Sequence, residues 1–314
     1  MKQKILKTVS IMLMVLGVMV FLYPDIATLM QDYHSDQYIE EFKELYQIDE
    51  KTSPDKSDDP INEDSDKRTF QELYDEIVAY NHNIYVTGQK DFKDAWCYTQ
   101  SPVNIDSLEN DLFGYIEVPS MGVKLPLYIG ASVSNMAKGA TIMGQTSIPI
   151  GGINTNSVIA GHRGYGGSPY FRYIENVKLG DYVYITNPWE TLTYQAVKIS
   201  IISPYDSDAV KIQEGKDMVT LLTCHPYASG GKYRYLVFCE KVPNDSSNAP
   251  SLPVNWEELN KEPYIISEDG EDVGSSVSFI NAEKNLRRIC AGVILVIIIL
   301  AINKKPARKD EKRN

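Results

Sequence analysis

Residues 220–238 read "TLLTCHPYASGGKYRYLVF". β-Branched and aromatic residues fill both arms, and Pro, Ser and two adjacent glycines fill the middle, the pattern of a strand, a short loop and a second strand. Cys224 closes the first arm and Arg234 opens the second. Only four cysteines occur in 314 residues, so one at the mouth of a polar loop raises a question. Cysteine is often a small buried hydrophobe, and alone Cys224 could be no more than that. Placed at a strand end, it could also be a nucleophile within reach of substrate. His225 follows directly, but neighbours on a strand point to opposite faces, which makes it a poor partner for the thiol.

Working outward, short apolar runs alternate with Gly- and Pro-rich breaks from about residue 112. Candidate strands are "GYIEV", "VKLPLYI", "SVIAG", "DYVYIT", "TLTYQAVKISIIS", "MVTLLT" and "YRYLVFCE". Several short strands with turn signals predict a mainly β fold, a closed or nearly closed barrel over 112–242. No 20–50-residue repeat is visible, which excludes a solenoid. Ahead of the barrel, residues 31–47 carry Tyr38, Phe42, Leu45 and Tyr46 at helical spacing. The stretch 49–66 is acidic, with Pro and Ser and almost nothing apolar, and reads as a linker closing a segment 24–69. A second helix follows within 70–111, with Thr69 as its cap and Phe70, Leu73, Tyr74, Ile77 and Val78 as one packing stripe.

Composition narrows the function. A formal charge of −11 argues against nucleic-acid binding. The cysteines, at 97, 224, 239 and 290, never fall as C-x-x-C, and the four histidines add no ligand cluster, so no structural zinc is expected. Cys224 and Cys239 could pair across the hairpin, at the expense of the thiol placed for chemistry. Both ends look membrane-bound. Residues 8–23 are apolar after the basic end 1–7, which carries Lys2, Lys4 and Lys7. No small-residue cleavage site follows, which favours an uncleaved anchor over a signal peptide. A second apolar run, "ICAGVILVIIILAI", lies in 286–303, between a polar spacer (243–285) and a basic tail (304–314). Both runs are short of the ~20 residues of a comfortable span, but snorkelling flanks allow short ones. Positive charge puts both termini inside and the intervening chain outside, although Arg287 and Arg288 blur the second assignment.

Three polar residues stand at strand ends: His162 after "SVIAG", Cys224 after "MVTLLT" and Arg234 at the start of "YRYLVF". A thiol attacks a carbonyl as thiolate; an imidazole can take its proton and return one to a leaving amine. A guanidinium can stabilise the oxyanion and stays charged throughout. The trio would thus serve acyl transfer at an amide carbonyl. Arg163 and Arg172 are rival anion binders, and spacing alone does not bring 162, 224 and 234 together.

"TLLTC", a short loop and Arg resemble the signature of the sortase family, and "SVIAGHRG" resembles its histidine segment. "GYIEVPSMGVKLPLYIGAS", "GATIMGQTSIPIGGINTNSVIAGHRGYGGSPYFRYIENVKLGD" and "TCHPY" are similar to the class C, pilus-assembling branch, over roughly residues 70–242 in order. The resemblance implies a sortase β barrel with Cys224 as nucleophile, His162 as acid/base and Arg234 as anion stabiliser. It implies cleavage of a C-terminal LPXTG-like sorting signal between Thr and Gly, a thioacyl-enzyme, and transfer to a pilin lysine amine, with no cofactor and slow hydrolysis as a side reaction. Its partners would be pilins or other surface proteins bearing the signal, and the membrane. Its place would be the outer face of a Gram-positive cell membrane. Class C members often carry an N-terminal lid with an Asp-Pro-aromatic triplet; Asp94, Ala95 and Trp96 resemble it, with Asp94 expected against Arg234 and Trp96 over Cys224. Ala95 stands where the triplet has proline, which loosens the turn. Trp96 as a plain loop anchor is the alternative.

Two departures touch the substrate groove. The loop "HPYASGGKY" is one residue longer than the common class C form, and "YRYLVFCEK" stands where class C usually has "HRLLVRG". They keep open a class B or housekeeping-type role, attaching surface proteins to cell-wall peptide amines. A cysteine peptidase releasing product to water and a non-catalytic membrane assembly factor for pilins are further alternatives.

Overall fold

A computed structural model describes residues 2–46, 64–90, 92–93, 98–242 and 273–303. The chain divides into two compact units. One comprises Met1–Leu29, Gly166–Ser168 and Val277–Asn314; the other comprises Met30–Tyr165 and Pro169–Ser276.

Eight strands of the second unit close into a barrel: β1 (Leu112–Val118), β2 (Val123–Ile129), β3 (Ala140–Ile142), β4 (Thr155–Ala160), β5 (Tyr182–Thr186), β6 (Thr191–Ile202), β7 (Asp217–His225) and β8 (Tyr233–Lys241). Their order around the barrel is β1-β2-β3-β4-β7-β8-β6-β5, and β5 pairs back onto β1. Two pairings are parallel, β2 with β3 and β4 with β7; the rest are antiparallel. Closure removes the free edges an open sheet would expose. The interior is filled by strand side chains such as Ile116, Leu127, Ile159, Val183, Leu221 and Val237, none of which is accessible to solvent.

Helix α1 runs unbroken from Lys2 to Tyr46 with Pro24 inside it, so the apolar run 8–23 and the helical pattern of 31–47 belong to one element. Among the described residues it is the one helix long and apolar enough to cross a membrane, with mean hydropathy 2.1 in its most apolar window. Leu13, Leu16 and Val20 are exposed along it. Farther on, Ile39 and Phe42 pack against Leu112, Tyr115 and Tyr128 of the barrel. Helix α2 (Asp64–Thr87) starts earlier than expected, which puts Thr69 inside the helix and not at its cap. Of its apolar stripe, Leu73 and Ile77 are buried, Phe70 and Tyr74 pack from the margin, and Val78 is exposed. Asn81 fixes the helix to the barrel: its side chain donates to Ile148 O and accepts from Ile148 N, both at 2.9 Å. A short helix α3 (Val133–Lys138) lies between β2 and β3, capped by Ser132, whose Oγ accepts from Asn135 N at 3.1 Å. Helix α4 spans Val277–Asn303 and takes in residues 277–285 together with the apolar run.

Candidate active site

The site is built by register. β7 and β8 are antiparallel and pair Cys224 with Arg234. β4 and β7 are parallel and pair Ala160 with Leu222. His162 lies two residues beyond Ala160, and Cys224 two beyond Leu222, so the imidazole and the thiol leave the barrel at the same level of adjacent strands. Two hydrogen bonds carry this alignment past the ladder: Gly161 N donates to Leu222 O at 3.1 Å, and Thr223 Oγ1 donates to Gly161 O at 2.6 Å.

Alternation along β7 leaves Cys224 half-buried and drives His225 inward to 1% exposure, as expected for adjacent residues on a strand. Cys224 is a free thiol, and so is Cys239, which is fully buried and has its pKa pushed up by desolvation. The pairing of Cys224 with Cys239 is therefore absent: Cys239 faces Val219 across the same hairpin, five rungs from Cys224.

Arg234 Nη1 donates to Gly231 O at 2.8 Å and Tyr233 O at 3.1 Å, which holds the guanidinium over the β7–β8 loop. Gly231 has φ +85°, and a Cβ there would stand 3.2 Å from Cys224 Sγ and 3.1 Å from Arg234 Nη1. The glycine thus lets the loop backbone close on both groups. His162 stacks on Tyr165 (centroids 4.7 Å, 16° between planes) and meets Tyr170 edge-on at 6.1 Å. Partial burial lowers its pKa below 6.5, because the charged ring is the form that loses solvation. Among the described residues no hydrogen bond joins His162 to Cys224.

Arg234 also lines a cleft of about 520 Å³ together with Leu222, Met143, Phe92, Tyr98 and the loop Pro204–Asp208. The rival arginines do not reach it. Arg163 is buried in an ion pair with Glu175, and Arg172 lies over the Tyr227 ring at 5.3 Å. Asp94 and Trp96, the expected lid residues, lie outside the described residues, and so does Ala95. Sequence reading missed Glu175; a single acid in "YFRYIENV" carries no signal that it is buried.

The sortase domain family matches residues 116–242. Sortase A of Streptococcus agalactiae is 30% identical over 170 residues, covering 47% of this chain and 68% of that protein. The crystal structure of sortase C-1 from Streptococcus pneumoniae aligns with TM-score 0.54 and 28% identity, over 66% of this chain and 98% of its own. That of Clostridium perfringens sortase C with the C-terminal cell wall sorting motif aligns with TM-score 0.51 and 30% identity, over 66% and 98%. A barrel with this strand order, a match spanning it from β1 to the end of β8, and neighbours in sortase C structures agree: the chain belongs to the sortase family.

Proposed function

We propose that the protein is a cysteine transpeptidase of the class C type, with Cys224 as nucleophile, His162 as acid/base and Arg234 as oxyanion stabiliser. The observation that supports this most is the register that puts Arg234 opposite Cys224 on β8 and His162 just beyond the end of β4, the other neighbour of β7. In the first half-reaction Cys224 Sγ attacks the Thr carbonyl carbon of an LPXTG-like signal while its proton goes to His162. The tetrahedral oxyanion sits against Arg234. Collapse breaks the Thr–Gly C–N bond, and the imidazolium gives its proton to the departing glycine amine. The thioacyl-enzyme is then attacked by a neutral acceptor amine, which passes a proton to His162; C–S cleavage regenerates the thiol. Water in place of the amine gives hydrolysis. His162 reaches the sulfur by turning from its stack on Tyr165, in keeping with the looseness of catalytic contacts before substrate binds.

The acceptor in this reading is a lysine side chain of a pilin, and repetition polymerises pili. The crystal structure of the Clostridium perfringens enzyme with a C-terminal cell wall sorting motif supports a sorting signal as the donor here as well. α1 would hold the enzyme in the cell membrane of a Gram-positive bacterium, with the barrel on the outer face and α4 as a second tether. Asp94 and Trp96 would form a lid, Asp94 against Arg234 and Trp96 over Cys224. Phe92 and Tyr98 line the cleft together with Arg234.

Incubation of the protein with a sorting-signal peptide, with and without a lysine-bearing pilin domain, tests the proposal. The expected result is an amine-dependent ligation product, a thioester adduct on Cys224 by mass spectrometry, and neither with Cys224→Ala. Hydrolysis indifferent to the amine would identify a peptidase, and ligation to a cell-wall peptide amine but not to lysine a housekeeping-type role. Pilin ladders surviving Cys224→Ala in cells would leave only an assembly scaffold. Trp96→Ala is expected to raise the alkylation rate of Cys224 severalfold; an unchanged rate removes the lid.

A further inference from the structure

His162 and Cys224 are each followed by a residue whose side chain turns inward, Arg163 and His225, exposed by 6% and 1%. Both meet one buried carboxylate. Glu175 Oε1 forms an ion pair with Arg163 Nη2, and the same oxygen lies 3.7 Å from His225 Nδ1. That second approach is too long for a hydrogen bond. Burial lowers the pKa of His225, the neutral form being favoured although Glu175 pulls the other way.

Glu175 has a second set of partners. Ser275 Oγ donates to Oε2 at 2.6 Å, and Ser276 N donates to both oxygens, at 3.2 and 3.0 Å. These belong to a strap, Val273–Ser276, that comes a hundred residues later in the chain. The strap also grips the start of the β7–β8 loop: Val273 O faces His225 Nε2 at 3.3 Å, and Ser276 Oγ accepts from Tyr227 N at 3.0 Å.

Taking a carboxylate and a guanidinium out of water is costly, and a buried pair is weak as a source of stability. Charge balance accounts for Arg163 with Glu175 and for nothing more. It does not account for the joined residues being the immediate successors of His162 and Cys224, nor for a distant strap ending on the same oxygens. We propose that Glu175 is a positioning residue. Through Arg163 it holds the backbone that carries His162, and through the strap it holds the backbone that carries Cys224, so the imidazole and the thiol keep a reactive separation. The strap completes the site although it touches no substrate. This rests on the assignment of Cys224 and His162 as the reacting pair.

Three variants of the full chain test it: Glu175→Gln, the double replacement Arg163→Met with Glu175→Leu, and Ser275→Ala. The double variant removes both charges at similar volume, so it separates positioning from burial of an unpaired charge. Expected are a kcat for peptide–amine ligation lowered at least tenfold in the first two and about threefold in Ser275→Ala, with KM within twofold. The double variant should keep a melting temperature near that of the wild type while its kcat stays low. Wild-type kcat restored in the double variant would overturn the proposal and leave Glu175 a charge balancer; an unchanged Ser275→Ala would overturn the part played by the strap. Alkylation of Cys224 by iodoacetamide needs no peptide, so it reads the same variants even if the wild type ligates nothing. The double variant is expected to be alkylated at least threefold more slowly, and an unchanged rate sinks the positioning role whatever the fate of the transpeptidase assignment.

Discussion

At Gly231 the positive φ and the closeness of Cys224 Sγ and Arg234 Nη1 act together. An added methyl group meets strain from the backbone, on the order of 1 kcal/mol, and displaces either the sulfur or the guanidinium. Gly231→Ala is therefore expected to lower kcat about tenfold or more while the melting temperature falls by only a few degrees; steady-state kinetics and a thermal melt distinguish the two effects. His162 gives a second prediction. Its folded pKa is lowered by desolvation, so the neutral ring persists below pH 6.5. The acidic limb of kcat/KM should therefore fall below that pH, where the base is lost by protonation. A limb above pH 6.5 would contradict the assignment or the burial. The strand-end positions of His162, Cys224 and Arg234 were legible from turn signals, whereas the register that sets them on neighbouring strands was not. Glu175 was not, since nothing local distinguishes a buried acid from a solvated one; its partners come from segments 12, 50 and 100 residues away.

Among the elements, α2 depends on Asn81 as much as on its apolar stripe. Asn81→Ala leaves Ile148 N and O unpaired in a buried place, at about 1–3 kcal/mol for each group. The expected outcome is a loss of about 2 kcal/mol or more in chemical denaturation, with KM little changed, because the contact belongs to the helix and not to the cleft. Seven strands were readable from apolar runs between turn residues. β3 was not: with three residues, Ala140–Ile142, it is too short to show alternation, and its place is set by tertiary pairing to β2 and β4. The parallel pairing of β4 with β7 was equally invisible, because sequence spacing says nothing about which strands become neighbours. Pro24 lies inside α1, which continues through it. Its Thr28 Oγ1 donates to Pro24 O at 2.8 Å.

For the molecule as a whole, acid is the condition that tests its buried groups together. His162 and His225 both have folded-state pKa values below 6.5, lowered first of all by desolvation. The unfolded chain therefore takes up more protons than the folded one as pH falls through 6.5, and stability drops in that window. Asp217 works with the opposite sign and lower down: burial raises its pKa above 3.8, so the folded state holds its proton more firmly and partly offsets the loss there. The melting temperature is expected to be lower at pH 5.5 than at pH 7.5. His225→Asn, which keeps a polar, smaller group that cannot charge, should flatten that dependence, and a slope left unchanged would show that His225 is not one of its sources.

The ladder contact between Cys224 and Arg234 fixes the two anchors, and of the turn between them Gly231 is the residue that closes on both. Closing a slightly longer loop costs a few tenths of a kcal/mol, far less than disturbing a rung. Away from Gly231, residues of the turn can be gained or lost while Cys224 and Arg234 stay opposite each other in the ladder. Under the proposed function, recognition of different donor peptides could diversify at this rim without the chemistry having to be reinvented each time.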